Sequence, residues 1–313
     1  MCESTEGSFG DSDTLGGHGE FPIDSGPGFG ALPSEEHPNT RVGWVPALPA
    51  RDRGIDMSLK QKLNHGDLVL STMVNEMRTA SLPAMLAAGG LDSFIIDMEH
   101  GTHDWSDMAA MIGVGRGVGL LPVVRIPEIR RETVMKPLDA GAAGILVPMV
   151  STPEDARQIV EWAKYPSEGL RGVALRRGHN DFRAVQIAPY LLQANADTTV
   201  IIQIETVEAL ERVDELVAVP GVDCVFIGPN DLSVALEVPG QLDCDLMRSA
   251  CDRVLHSAAA AGVAVGYQSV DLGQAKDLIQ RGVRYLSYSS EVNAIIDQAT
   301  EASSSLRIEA VNS

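Results

Sequence analysis

Lysine is scarce in this 313-residue chain: Lys60, Lys62, Lys136, Lys164 and Lys276 are the whole set. All five fall in segments read as helical or terminal, so no amine stands at the end of a β-rich run to form an imine with a ketone. Positive charge is short overall, with 24 Lys and Arg against 43 Asp and Glu and a formal net charge of −19. Such a surface repels nucleic-acid phosphates and anionic lipid heads, so neither partner is expected, and an anionic substrate would need a local cation or metal. The four cysteines form no C-x-x-C pair and no framework spacing. They read as reduced thiols of a cytoplasmic protein. There is no run of about 18 apolar residues and no basic-then-apolar start, so membrane spanning and secretion are not expected.

What is present divides in two. Residues 1–56 hold ten glycines, six prolines and ten acids against three arginines, without sustained periodicity. Such a composition buries too little surface to offset its ordering entropy, so a disordered tail is expected. One hypothesis takes Met57 as the natural start, with 1–56 not native; an intact mass from the native host decides it. Residues 57–313 read as one catalytic domain, beginning with a short helix in Met57-Ser-Leu-Lys-Gln-Lys-Leu63.

From there β-rich apolar runs alternate with helical stretches, the pattern of a parallel sheet covered by helices. The runs are 68–72, 93–97, 121–125, 144–148, 200–204, 224–227, 263–267 and 285–288. Helices are expected over 152–164, with Pro153 in its first turn, and over 207–217, ahead of Pro220-Gly221. Eight repeats predict a (β/α)8 TIM barrel; an open doubly wound sheet is the alternative.

In such a barrel, chemistry gathers at the C-terminal ends of the strands. The second run leads into Asp97-Met-Glu-His100-Gly101 and the third ends at Arg125. The fifth ends Gln203-Ile-Glu205-Thr206, and the sixth leads into Gly228-Pro-Asn-Asp231-Leu-Ser233. Glu205 and Asp231, hard oxygen donors from neighbouring strand ends, suit Mg²⁺ or Mn²⁺, with Co²⁺ a further candidate. The plainer reading is a rim salt bridge for Glu205 and a helix cap for Asp231. Asp97, three residues before His100, is placed to orient the imidazole as a general base; otherwise His100 is a buried, hydrogen-bonded histidine. His100 and His103 form H-x-x-H, but no third zinc ligand is evident. Arg125 suits a carboxylate or an enolate oxygen, or else an ion pair with Asp139 or Glu99. Gly113, Gly115, Gly117 and Gly119 precede a strand instead of following one, so they read as a turn and not a phosphate loop.

These motifs, together with Pro122-Val-Val-Arg125, Gly144-Ile-Leu-Val-Pro148-Met149-Val150 and Gly169-Leu-Arg171-Gly172-Val173, resemble in order the HpcH/HpaI family of metal-dependent 2-oxo-acid aldolases. The resemblance covers about 57–297. It implies Glu205 and Asp231 as metal ligands, His100 with Asp97 as base, and Arg125 as the cation that stabilises the enolate. It further implies that Gln203 and the backbone around Gly228 and Pro229 touch the pyruvate part. Asp139 would support the site from a neighbouring subunit or a second layer, within a hexamer or trimer. After Arg171-Gly-Val173 the sequence departs from the family into Ala174-Leu-Arg-Arg-Gly-His-Asn-Asp-Phe182. Arg176, Arg177 or His179 is therefore expected to read the aldehyde-side group. The reaction implied is reversible cleavage of a 4-hydroxy-2-oxo acid to pyruvate and an aldehyde. Oxaloacetate decarboxylation, an acyl-CoA thioester lyase and a silent 2-oxo-acid sensor stand as alternatives.

Overall fold

The computed structural model describes residues 57–312, so the expected tail lies outside the described residues. Eight parallel strands close into a barrel in sequence order: β1 (Val69–Val74), β2 (Ser93–Asp97), β3 (Leu121–Arg125), β4 (Gly144–Val147), β5 (Thr199–Ile204), β6 (Cys224–Ile227), β7 (Ala264–Ser269) and β8 (Tyr285–Ser290). β8 pairs with β1, with a register shift between Ser71 and Met73. The closed sheet removes the doubly wound alternative.

Both faces of each strand are covered, which is why the strands read as near-continuous apolar runs and not as alternation. Two apolar clusters separate those faces. Ile95, Leu121, Val123, Leu146, Ile201, Cys224, Phe226 and Tyr285 fill the barrel interior. Phe94, Ile96, Val124, Ile145, Val200, Ile202, Ile204 and Val225 pack outward against the helices. The helix Leu59–His65, capped by Ser58 and Gln61, sends Leu59 and Leu63 into the inner cluster and so stoppers the N-terminal end. It starts two residues later than the sequence suggested.

Strand periodicity of two then sets the mouth. Counting on from the inner residues, Ile95 leads to Asp97, Val123 to Arg125, Ile201 to Gln203 and Glu205, and Phe226 to Gly228. Asp97 and Arg125 are register partners. The helix expected over 152–164 runs Pro153–Ala163, with Pro153 in its first turn as expected and Thr152 as its cap. The expected helix 207–217 is instead two, Val207–Glu211 and Val213–Val217, interrupted at Arg212 (φ −101°, ψ 15°). Neither proline nor glycine marks that break, so periodicity reads through it. β7 and β8 run two residues past their apolar segments, because Gln268, Ser269, Ser289 and Ser290 are polar yet remain in the sheet.

Candidate active site

Asp97 is fully buried and grips Arg125 in a two-pronged pair, Nε donating to Oδ1 at 2.9 Å and Nη2 to Oδ2 at 2.6 Å. The same Oδ1 accepts from the backbone N–H groups of Glu99 (3.0 Å) and His100 (3.2 Å). Burial works to raise the Asp97 pKa, but the Arg125 guanidinium outweighs it and leaves the carboxyl below its ordinary value. The expected contact between Asp97 and the His100 imidazole is therefore corrected. Asp97 is committed to Arg125 and to the turn's backbone, and the His100 ring is 66% exposed at the mouth with Glu99 Oε2 3.8 Å away. Glu99 also lies 3.4 Å from Arg125 Nη1, so the arginine bridges two carboxylates. The Glu99 branch of its ion-pair alternative is present alongside the Asp97 pair.

Across the mouth, Glu205 is 3% exposed. Its Oε1 accepts from Met149 N at 2.6 Å and its Oε2 from Gln203 Nε2. Met149, at the end of β4, adopts a left-handed φ of 56° to aim that N–H. Gly228 leaves room for them, since a Cβ there would lie 2.5 Å from Gln203 Nε2 and 2.7 Å from Glu205 Oε2 and would displace both side-chain ends. Pro229 follows, buried, as the first residue of the helix Pro229–Ala235. Asp231 sits in that helix's first turn and makes no capping bond, and Glu205 has no ion pair among the described residues, so neither plainer reading holds. Burial pushes the Glu205 carboxyl up to about 7, with Asp231 and Glu99 adding to the rise and the Met149 N–H and Arg125 opposing it.

His103 is buried, with Nε2 3.1 Å from the Val74 carbonyl, so it is no partner to His100 for zinc. The turn reading of the four glycines is corrected for three of them: Gly113, Gly115 and Gly117 lie within the helix Trp105–Gly117, and only Gly119 (φ 77°) turns the chain into β3.

The residues expected to serve the aldehyde lie elsewhere in this chain. Gly178 packs against the carbonyl of Ala140, the last residue of the helix Arg131–Ala140. His179 stacks near Tyr190, Nε2 lies 2.8 Å from the Ala174 carbonyl, and the ring lines a cavity of about 760 Å³ with Leu121, Ala143 and Thr198. Those three stand at the N-terminal ends of β3, β4 and β5, the opposite end from Glu205. Arg176 and Arg177 are exposed on the same segment. A βα barrel returns the chain to its N-terminal end after each helix, and the 178–181 part of this segment lies at that end. The His179 ring is thus held at the opposite end from the rim of its own barrel. Asp139 is also at that end, ion-paired to Arg171 at 2.6 Å, so it does not support the site from within its own chain.

A model of the HpcH/HpaI aldolase/citrate lyase family matches residues 74–298. The chain belongs to that family. It is 32% identical over 208 residues to a 5-keto-4-deoxy-D-glucarate aldolase of Shigella boydii, covering 66% of this chain and 80% of that one. It is 31% identical over 257 residues to a hydroxypyruvate/pyruvate aldolase of Paraburkholderia phytofirmans, covering 80% and 97%. The crystal structure of an HpcH/HpaI aldolase from Desulfitobacterium hafniense superposes with a TM-score of 0.78 at 33% identity, over 80% of this chain and 97% of that one. As a family member the protein is a carbon–carbon lyase of the aldolase kind.

HpcH/HpaI aldolases are generally divalent-metal dependent. The donor set here fits such an ion: two carboxylates from adjacent strand ends, with the Gln203 Oε1 beside them buried and without a partner. No cluster of three or more His, Cys, Asp and Glu is preassembled among the described residues. Two carboxylates with the other positions left to water and substrate oxygens suit Mg²⁺ or Mn²⁺ better than a closed structural site. No helix among the described residues is long and apolar enough to cross a membrane.

Proposed function

We propose that the protein cleaves a 4-hydroxy-2-oxo acid reversibly to pyruvate and an aldehyde, with Glu205 and Asp231 holding Mg²⁺ or Mn²⁺ and Arg125 and His100 acting on the substrate. The observation that carries this reading is a buried Glu205 carboxyl beside the unpartnered Gln203 Oε1, across the mouth from an Arg125 guanidinium that Asp97 holds in place. When bound, the cation polarises the 2-oxo group as a Lewis acid. Gln203 and the backbone around Gly228 and Pro229 line the floor on which the pyruvate portion rests. His100 Nε2 takes the proton of the C4 hydroxyl, the O–H pair becomes the aldehyde C=O, and the C3–C4 bond breaks toward C2. Arg125 faces the oxygen on which negative charge develops, and Asp97 fixes its plane so that little reorganisation is needed. Proton return to C3 completes pyruvate. His100 is exposed, as a base that must meet an incoming substrate requires.

The test is pyruvate release, coupled to lactate dehydrogenase, from a panel of 4-hydroxy-2-oxo acids and oxaloacetate with Mg²⁺ or Mn²⁺, then with EDTA. Metal-dependent release that falls about 100-fold or more in Glu205→Ala is the expected result. Release from no compound, by protein shown to bind the metal, would sink the reading. Oxaloacetate belongs in the panel because loss of CO₂ yields the same enolate without a base.

We further propose that the chain assembles with copies of itself, and that Asp139 serves a neighbour's site. Ile295, Ile296, Leu306 and Ile308 of the C-terminal helix Glu291–Asn312 are at least half exposed, an apolar load that a lone chain leaves in water. Light scattering on the eluting protein should give a mass of several chains; a single-chain mass at micromolar concentration counts against it.

A further inference from the structure

The turn that carries His100 is not held by its own strand alone. Thr102 N donates to the Asn75 carbonyl at 2.9 Å, and His103 Nε2 meets the Val74 carbonyl at 3.1 Å. A Cβ on Gly101 would lie 2.8 Å from the Asn75 carbonyl and 2.2 Å from that of Asp97, so only glycine lets the turn close against both. The position of His100 thus depends on where Val74, the last residue of β1, and Asn75 just past it put their carbonyls.

Those residues are held in turn by one carboxylate from the far side of the barrel seam. Glu291 is 5% exposed, and its Oε1 accepts three successive backbone N–H groups: Asn75 at 2.8 Å, Glu76 at 2.6 Å and Met77 at 3.0 Å. Three converging N–H dipoles on an anionic oxygen make a charge-assisted nest, stronger and more directional than neutral turn bonds. Delivery of Glu291 to the nest has its own cost. Ser289, two residues earlier, takes a left-handed φ of 57°, and its carbonyl is pinned by Gln268 Nε2 at 2.9 Å. A non-glycine residue stays in that conformation only where its surroundings fix it.

We propose that Glu291 is a positioning residue, clamping residues 75–77 so that the 97–102 turn presents the His100 imidazole to the substrate. This rests on the reading of His100 as base given above. Arg125, at the end of β3, and Glu205, just past β5, touch neither Glu291 nor residues 75–77; Arg125 meets the turn only through Asp97, at the turn's strand end, and Glu99. The clamp therefore bears first on the proton-transfer step, at the turn's far end, and less on stabilisation of the enolate. Glu291→Ala leaves three part-buried N–H groups without their acceptor, residues 75–77 rearrange toward water, and the Thr102 anchor goes with them.

The experiment compares two reactions of one holoenzyme with Mn²⁺, alongside amide hydrogen exchange of the peptide spanning 98–104. In Glu291→Ala, kcat for cleavage of a 4-hydroxy-2-oxo acid falls about 100-fold, the scale of a misplaced base, whereas oxaloacetate decarboxylation stays within about threefold. The 98–104 peptide exchanges faster. Glu291→Gln, which keeps an acceptor oxygen for the nest, restores slow exchange and most of the cleavage rate. Equal falls in both reactions, or unchanged 98–104 exchange in a folded Glu291→Ala, overturn the clamp. A wild type that cleaves nothing overturns the aldolase reading instead, and the exchange comparison then decides the clamp by itself.

Discussion

Arg125→Ala is expected to lose both activity and stability, the first by about 100- to 1000-fold in kcat and the second by about 3–5 kcal/mol. The two losses have separate causes. Activity falls because the guanidinium faces the oxygen on which charge develops. Stability falls because Asp97, with no exposed surface, keeps its charge and loses the partner that balanced burial. Two backbone N–H groups remain to it, too few for a buried carboxylate.

A double variant separates them. Arg125→Ala with Asp97→Asn removes the orphaned charge, so denaturant midpoints should recover much of the loss while kcat stays low. If stability does not recover, the pair is not what makes the single change costly. Arg125→Lys keeps the charge but not the fork that meets both Asp97 oxygens, so it should rescue neither fully. The pair also has a pH signature. Asp97 is held below its ordinary value, so its contribution is present above about pH 4 and fades as pH falls through the lowered native value.

Most of the barrel is legible in the sequence because each strand is buried on both faces and so writes itself as an apolar run. β2, β3 and β6 have the bounds that composition alone suggests. The reading fails where polarity and burial part company. Gln268 and the Ser289–Ser290 pair continue β7 and β8 into the mouth, yet nothing apolar announces them. The candidate site is legible for a related reason: a polar or charged residue at or just past the end of an apolar run has its direction fixed by the strand's period of two. That rule finds Asp97, Arg125, Gln203 and Glu205. It cannot tell which neighbour a side chain chooses, and Asp97 proves to face Arg125 on the next strand and not His100 in its own turn. Nor can it place a residue that follows a helix. Arg176, Arg177 and His179 have suitable chemistry, but their segment follows the helix Pro153–Ala163, whose end is at the barrel's other face. Glu291 was missed because it opens a helix, where an acidic residue is commonplace. Its signal exists only in three dimensions, as three N–H groups from a loop more than 200 residues away in sequence.

Glu205 makes the metal-free protein sensitive to pH in a direction opposite to that of Asp97. Its carboxyl titrates at about 7 in the fold against 4.5 ordinarily, chiefly because burial penalises the charged form. A raised value means that the stability associated with the protonated form is complete below about pH 4.5 and is lost as pH climbs through about 7. The loss amounts to about 3 kcal/mol by the usual conversion of pKa to free energy. A divalent cation reverses the preference, since it needs the carboxylate. Affinity for Mn²⁺ should therefore fall about tenfold for each pH unit below about 7, with close to one proton released per ion bound. Thermal unfolding with EDTA at about pH 5.5 and about pH 8, and calorimetric titration of Mn²⁺ in two buffers of different ionisation enthalpy, measure the two sides. In Glu205→Gln the midpoint of the metal-free protein should lose most of its dependence on pH across this window, and the proton release should vanish along with tight binding. A wild type whose EDTA midpoint is the same at both pH values would mean that Glu205 is ionised in the fold without a metal. The neighbouring Arg125 would then have to be the group that neutralises it, and a cation would have less to gain at this mouth.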